Sequence, residues 1–220
     1  PAAYTVESRG IGAGHTIPVT PLALNTGGTP AAIAGLAPRE ARYFSVVIPA
    51  GTTNWELTLT PTLGEMLMAV RRGTIPGFQA GFSGDAGTPY SDSGYDLQVK
   101  MQKDGAERYL MLPPEGMASL VPGTYFIVVA GEGVNPTTGS TGAGNVSGTL
   151  ASLSPKGIVG LGAVGAVPVT SPVALFAGQS QFLAFNVPPG APLLEARLDN
   201  RAGNPLMSLI PGTLFPAIFT

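Results

Sequence analysis

The chain is poor in groups that perform chemistry. His15 is its only histidine and cysteine is absent, so a Ser-His-Asp relay, a thiolate nucleophile and a Cys/His zinc site all lack their parts. His15 lies in a glycine-rich stretch, Gly12-Ala13-Gly14-His15, and reads as an exposed linker residue. The 13 carboxylates are scattered along the chain. A glycosidase needs two of them facing one bond, and the spacing supplies no such pair. Glu56 recurs as Glu195, and its expected place is the polar face of a strand, either solvated or paired with Arg71 or Arg197. Asp85, Asp92 and Asp96 are the candidate metal ligands. Calcium takes about six to eight oxygens, and a Gly/Ser-rich loop can add carbonyls to carboxylates. No D-x-D-x-D-G spacing accompanies them, and the competing reading is an ordinary loop capped by Asp and Ser. Apart from calcium, the residues call for no cofactor.

Two other features invite a functional reading and fail on context. Gly160-Leu161-Gly162-Ala163-Val164-Gly165 spells G-x-G-x-x-G. A dinucleotide fingerprint requires a helix directly after it, because the helix N-terminus holds the pyrophosphate. Here Pro168-Val169-Thr170 follows, an extended sequence, so the stretch is expected to be an interdomain linker. Trp55, the only tryptophan, could stack on a sugar if exposed. Its phase with Leu57 and Leu59 places it in the core instead. Met66, Met68, Met101 and Met111 read as core or interface filler. Asn145-Val146-Ser147 matches a glycosylation sequon but reads as strand sequence.

The elements that would position these residues are strands. Gly (31) and Pro (22) make up about a quarter of 220 residues, which excludes long helices, while 44% hydrophobic residues exclude a disordered linker. Alternation predicts strands at 43–48, 55–60, 65–71, 95–101, 107–112, 126–130 and 145–152, separated by turns such as Pro49-Ala50-Gly51 and Lys103-Asp104-Gly105. At least seven short strands with even spacing predict an all-β, jelly-roll-like antiparallel β-sandwich.

The chain also matches itself. Residues 43–76 align without a gap to 182–215, so that Pro49 meets Pro188, Gly51 meets Gly190, Gly64 meets Gly203 and Gly73-Thr74 meets Gly212-Thr213. A second block, 11–20, matches 161–170 at a spacing 11 residues larger, which implies extra loop in the first copy around 25–38. The organisation expected is an extended segment at 1–20, a sandwich at 21–155, a Gly-rich linker at 156–170 and the first half of a second sandwich at 171–220. Strands are expected in that half near 182–187, 193–199 and 205–210.

The order of these strands resembles the bacterial pre-peptidase C-terminal domain family. The carrying motifs are Val47-Ile48-Pro49-Ala50-Gly51, then Gly64-Glu65-Met66-Leu67-Met68-Ala69-Val70-Arg71-Arg72-Gly73, the pair Tyr95-Asp96, and Val121-Pro122-Gly123-Thr124-Tyr125-Phe126-Ile127-Val128-Val129-Ala130-Gly131. The resemblance covers about 40–153 well and 180–215 in part. It implies a non-catalytic jelly roll appended to secreted proteins, flanking proteases or standing in tandem in large surface proteins. Some relatives bind calcium or polymeric substrates. Glu65 stands where the family usually has Asp, and Met66-Leu67-Met68 replaces the neighbourhood of its second acidic residue.

Function follows from what is left. Charged residues are 11% against a usual ~25%, and the net charge is -2, so nothing steers the chain toward nucleic acid or anionic lipid. The most apolar stretch, 157–169, is too short and too Gly-rich to insert in a membrane. Pro1 opens the sequence without a Met, as expected of a processed or trimmed chain whose signal peptide is gone. The expectation is a non-catalytic structural or spacer module of an extracellular or cell-surface bacterial protein. Its partners would be adjacent domains or other copies, joined by strand addition as in a filament if the half-sandwich is not simply a cut from a longer tandem protein. The alternative is a module binding polysaccharide, collagen-like protein or calcium.

Overall fold

The computed structural model describes residues 16–76, 90–92, 96–102, 104–114, 116–137, 141–153 and 155–212, with the backbone alone for 90–92 and 96–101. Twelve strands and no helix occur among them. The strands are β1 (Val19–Leu22), β2 (Ala31–Leu36), β3 (Ala41–Ile48), β4 (Trp55–Leu63), β5 (Glu65–Arg72), β6 (Tyr90–Asp92), β7 (Asp96–Met101), β8 (Glu107–Met111), β9 (Gly123–Gly133), β10 (Val146–Leu153), β11 (Ile158–Ala163) and β12 (Phe182–Asn186).

Alternation decides which faces close on one another. In β3 the residues Phe44, Val46 and Ile48 point inward; in β5 Met66, Met68 and Val70; in β9 Tyr125, Ile127 and Val129. These line a six-stranded sheet of order β1-β3-β9-β5-β7-β6. Opposite lies a four-stranded sheet of order β2-β10-β4-β8, which contributes Ile33, Leu36, Trp55, Leu57, Leu59, Met111, Val146 and Leu150. The two sheets bury one continuous apolar layer, the arrangement that lets each cover the other's hydrophobic face. Within these two sheets the strand pairings are antiparallel except β1 with β3, where Val19 faces Tyr43. The first part of the chain is therefore an antiparallel β-sandwich.

The Gly-Thr-Tyr sequence at the start of β9 has a structural use. The Tyr125 ring meets Trp55 edge-on with centroids 5.6 Å apart, and its hydroxyl donates to the Val121 carbonyl at 2.8 Å. Trp55 Nε1 donates to Ser152 Oγ at 2.9 Å, and that hydroxyl donates on to the Leu24 carbonyl at 2.8 Å. The largest side chain of the core thus ties β4 to both β9 and β10, with its one polar atom satisfied.

Beyond residue 155 the same local geometry returns at a fixed separation of 139 residues. β11 pairs with β12 in parallel, and Ile158↔Phe182, Val159↔Leu183 and Gly160↔Ala184 reproduce Val19↔Tyr43, Thr20↔Phe44 and Pro21↔Ser45. The Ala37 amide donates to Glu40 Oε2 at 2.9 Å, and the Phe176 amide donates to Gln179 Oε1 at 3.0 Å. The turns closed by Glu40 N to Ala37 O and by Gln179 N to Phe176 O match in the same way. So do Thr52 N to Pro49 O and Ala191 N to Pro188 O. Positive φ recurs at Arg39 and Gly178, Gly51 and Gly190, Gly64 and Gly203, and Gly73 and Gly212.

Four sequence expectations are corrected by the structure. Residues 158–163, expected as linker, form β11. The match of 11–20 to 161–170 does not mark equivalent positions, since Val19 lies in β1 whereas Val169 lies beyond β11 outside any strand. The extra loop inferred from that match disappears, because β1 and β11 share the 139-residue spacing of the rest. Residues 193–199 and 205–210 carry the alternation of strands but form none. A strand needs a neighbour for its amides and carbonyls, and the described residues provide none there.

Candidate functional site

The outer face of β4 holds the most polar buried cluster among the described residues. Glu56 alternates with Trp55 and Leu57, so it points away from the core, as the sequence indicates. It is nevertheless 2% exposed. The chain after residue 155 crosses this face and covers it. Lys156 Nζ lies 2.6 Å from Glu56 Oε2, and Arg108 Nη1, from the adjacent β8, lies 3.7 Å from Oε1. Neither carboxylate oxygen accepts a well-aligned hydrogen bond, so the two cations provide its compensation.

The same Lys156 ammonium donates to the Ser180 carbonyl at 3.1 Å. Phe176 places its ring 5.5 Å from the Arg108 guanidinium carbon, a cation–π distance. Asn54, fully buried beside Glu56, clamps the Lys156 backbone both ways: Lys156 N donates to Oδ1 at 2.7 Å and Nδ2 donates to Lys156 O at 3.1 Å. Every charged group in the cluster is thus engaged with another part of the same chain. Its chemistry is attachment of the segment 156–182 to the sheet.

This corrects the expected role of Glu56. It is neither solvated nor paired with Arg71 or Arg197; its partners are Arg108 and Lys156. Glu195 behaves differently, lying exposed on the surface beside Arg197 at 3.7 Å, which also reaches Asp199 at 3.3 Å. The partners of Glu56 were missed because Lys156 stands 100 residues away in a segment with no strand signal of its own.

Trp55 is fully buried, and Met66, Met68 and Met111 lie in the core with it. Met101 is described in backbone only, at the end of β7. Of the three aspartates, Asp85 lies outside the described residues. Asp92 and Asp96 sit directly opposite one another where β6 and β7 pair, and only their backbone is described. Among the described residues no group of three or more His, Cys, Asp or Glu is placed to hold a metal ion. His15 lies outside the described residues. Gly160-to-Gly165 begins in β11 and is followed by turn and extended chain, without the helix that a pyrophosphate site requires. No helix among the described residues is long and apolar enough to cross a membrane. Partial burial raises the Tyr109 phenol above its ordinary value, with a smaller contribution from Tyr125 in the same core.

No protein-family model matches the chain, and no curated protein matches it. Among solved structures it is similar to the crystal structure of the pre-peptidase C-terminal domain of a collagenase from Bacillus anthracis. That likeness has 11% identity and a TM-score of 0.29, covering 62% of this chain and 97% of that domain.

Proposed function

We propose that the chain is a non-catalytic structural module of a secreted or cell-surface protein, in which a sandwich is followed by the opening half of a second copy of the same design. The observation that carries this reading is the recurrence, 139 residues apart, of a parallel strand pair, two hydrogen-bonded turns and four positive-φ positions. What recurs is backbone geometry. The polar cluster does not recur with it: Glu56 is buried between two cations, while Glu195 is at the surface. A repeated scaffold with unrepeated polar groups fits a spacer whose copies share architecture and contacts with their neighbours. The low charge content, 11%, suits a surface that packs against adjoining domains.

Two measurements test it. Native-state hydrogen exchange should show matched protection in β1–β3 and β11–β12, and free exchange throughout 158–186 would overturn the second copy. An antibody to the chain should label intact producing cells or their medium. Labelling confined to lysed cells would overturn the extracellular placement.

A further inference from the structure

Three of the positions at which the two matching regions differ lie where the second touches the sandwich. At the 139-residue spacing, Lys156 stands where the first region has Ile17, Phe176 where it has Ala37, and Gly178 where it has Arg39. Each change creates a contact that its counterpart cannot make. The Lys156 ammonium bridges Glu56 of β4 and the Ser180 carbonyl, at 2.6 and 3.1 Å. An isoleucine there offers no donor. The Phe176 ring lies 5.5 Å from the Arg108 guanidinium carbon and is 73% exposed, so the cation rather than buried area holds it. An alanine has no ring face. A Cβ on Gly178, whose φ is 72°, would stand 3.3 Å from Arg108 Cβ. Arg39 holds nearly the same φ, 67°, so what glycine supplies at 178 is the close approach. An arginine there would also set a second cation against Arg108.

We propose that Lys156, Phe176 and Gly178 form an orienting joint, which holds the second region at one fixed angle on the β4–β8 face so that the two regions turn as one body. The joint rests on the second-copy reading above and adds how the two copies are coupled. Domains joined only by a stretch of chain move independently by default. Here the Asn54 side chain holds the Lys156 backbone from both sides, at 2.7 and 3.1 Å, which provides a pivot. One pivot leaves rotation about itself. The turn at 176–180 removes that freedom, because it meets the sandwich at a second place, Arg108 of β8. Arg108 is itself held by Glu56 at 3.7 Å, so one carboxylate serves both contacts. The turn is tied across itself: Gln179 N donates to the Phe176 carbonyl and the Phe176 amide donates to Gln179 Oε1, each at 3.0 Å. It leads directly to Phe182 of β12, whose pairing with Ile158 of β11 carries the orientation onward. The first region uses the matching turn differently. There Arg39 N donates to the Gly131 carbonyl at 2.8 Å, so the turn packs on β9 of its own sandwich. One repeated turn thus closes a sheet in the first region and joins two copies in the second.

The test uses the whole 220-residue chain, which has no cysteine, so Val47→Cys and Ala184→Cys place one spin label at an exposed position of β3 and one at an exposed position of β12. Double electron–electron resonance should give a single narrow distance distribution. Lys156→Ile, Phe176→Ala and Gly178→Arg together, which put the first region's residues in place, should replace it with a broad one. Hydrogen exchange of the same samples should show β11–β12 and the strands around Trp55 as protected as before. Should the triple variant disturb β11–β12, Arg108→Ala loosens the joint from the sandwich side with residues 156–186 untouched, and the same broadening is expected. A broad distribution in the chain without these substitutions, or a narrow one that survives both sets of them, would overturn the joint. Protected β11–β12 with a broad distribution in that chain removes only the joint, whereas absent protection there removes the second copy itself.

Discussion

Trp55 and Leu194 stand 139 residues apart in matching sequence, yet one is sealed in a core and the other is on the surface. Leu59 and Leu198, and Met68 and Met207, differ in the same way. The alternation of apolar residues is similar in both regions. What differs is whether strands from far along the chain, β9 and β10, arrive to cover it. Alternation therefore specifies which face a strand will bury, while the existence of the strand depends on its neighbours.

The sharpest way to break the contrast is at its largest side chains. Trp55→Ala should destabilise the first region by about 3–5 kcal/mol, through lost burial and a cavity that β9 and β10 cannot fill. Leu194→Ala should fall within about 0.5 kcal/mol. Equal effects in chemical denaturation would mean that Leu194 is covered. Next come the paired carboxylates. Glu56→Gln leaves Lys156 and Arg108 beside a neutral amide and should cost about 2–3 kcal/mol, while Glu195→Gln, among exposed partners, should cost less than about 0.5 kcal/mol.

Glycine gives a third contrast. A Cβ on Gly64 would meet Val146 Cγ1 at 2.6 Å and the Gly133 carbonyl oxygen at 2.8 Å, whereas one on Gly203 would meet nothing within 4 Å. Both have positive φ, so each alanine carries about 1–2 kcal/mol of backbone strain. Gly64→Ala should add about another 1 kcal/mol or more from the clash, which a difference in thermal midpoints would read. The smallest effect concerns pH. The Tyr109 phenol is raised in the folded chain, so the unfolded chain releases its proton first. Its stabilising contribution is complete below about pH 10 and falls above it, by at most about 1.4 kcal/mol per pH unit. Tyr109→Phe should flatten that slope, and an unchanged slope would place the phenol in water.

Much of the sandwich was legible because its central strands announce themselves. Phe44-Val46-Ile48, Trp55-Leu57-Leu59 and Met66-Met68-Val70 alternate cleanly, and all nine are buried. The strands that escaped detection have weak signals for identifiable reasons. β1 contains Pro21, β2 is largely alanine with Gly35 at positive φ, and β11 has glycine at two of six positions. Proline and glycine are poor strand formers, and here pairing with long-range partners overrides local preference. The Glu56 cluster was half legible. Alternation placed the carboxylate outside the core correctly, but no local pattern announces that Lys156 and the chain beyond it will close over that face.

The clamp between Asn54 and the Lys156 backbone has a mechanical meaning. Thr26 and Ser152 exchange a similar pair of bonds, with Thr26 N donating to Ser152 O at 2.8 Å and Ser152 N donating to Thr26 Oγ1 at 3.2 Å. One knot fastens the incoming chain to the end of β10 and the other fastens the outgoing chain to the start of β4. Tension entering from the C-terminal side therefore meets the Asn54–Lys156 clamp before it reaches the end of β10, whereas tension from the N-terminal side meets the β1–β3 pairing before the Thr26–Ser152 bonds. Pulled from that C-terminal side, the joint at residue 156 lies in the path of the load ahead of the Trp55 core.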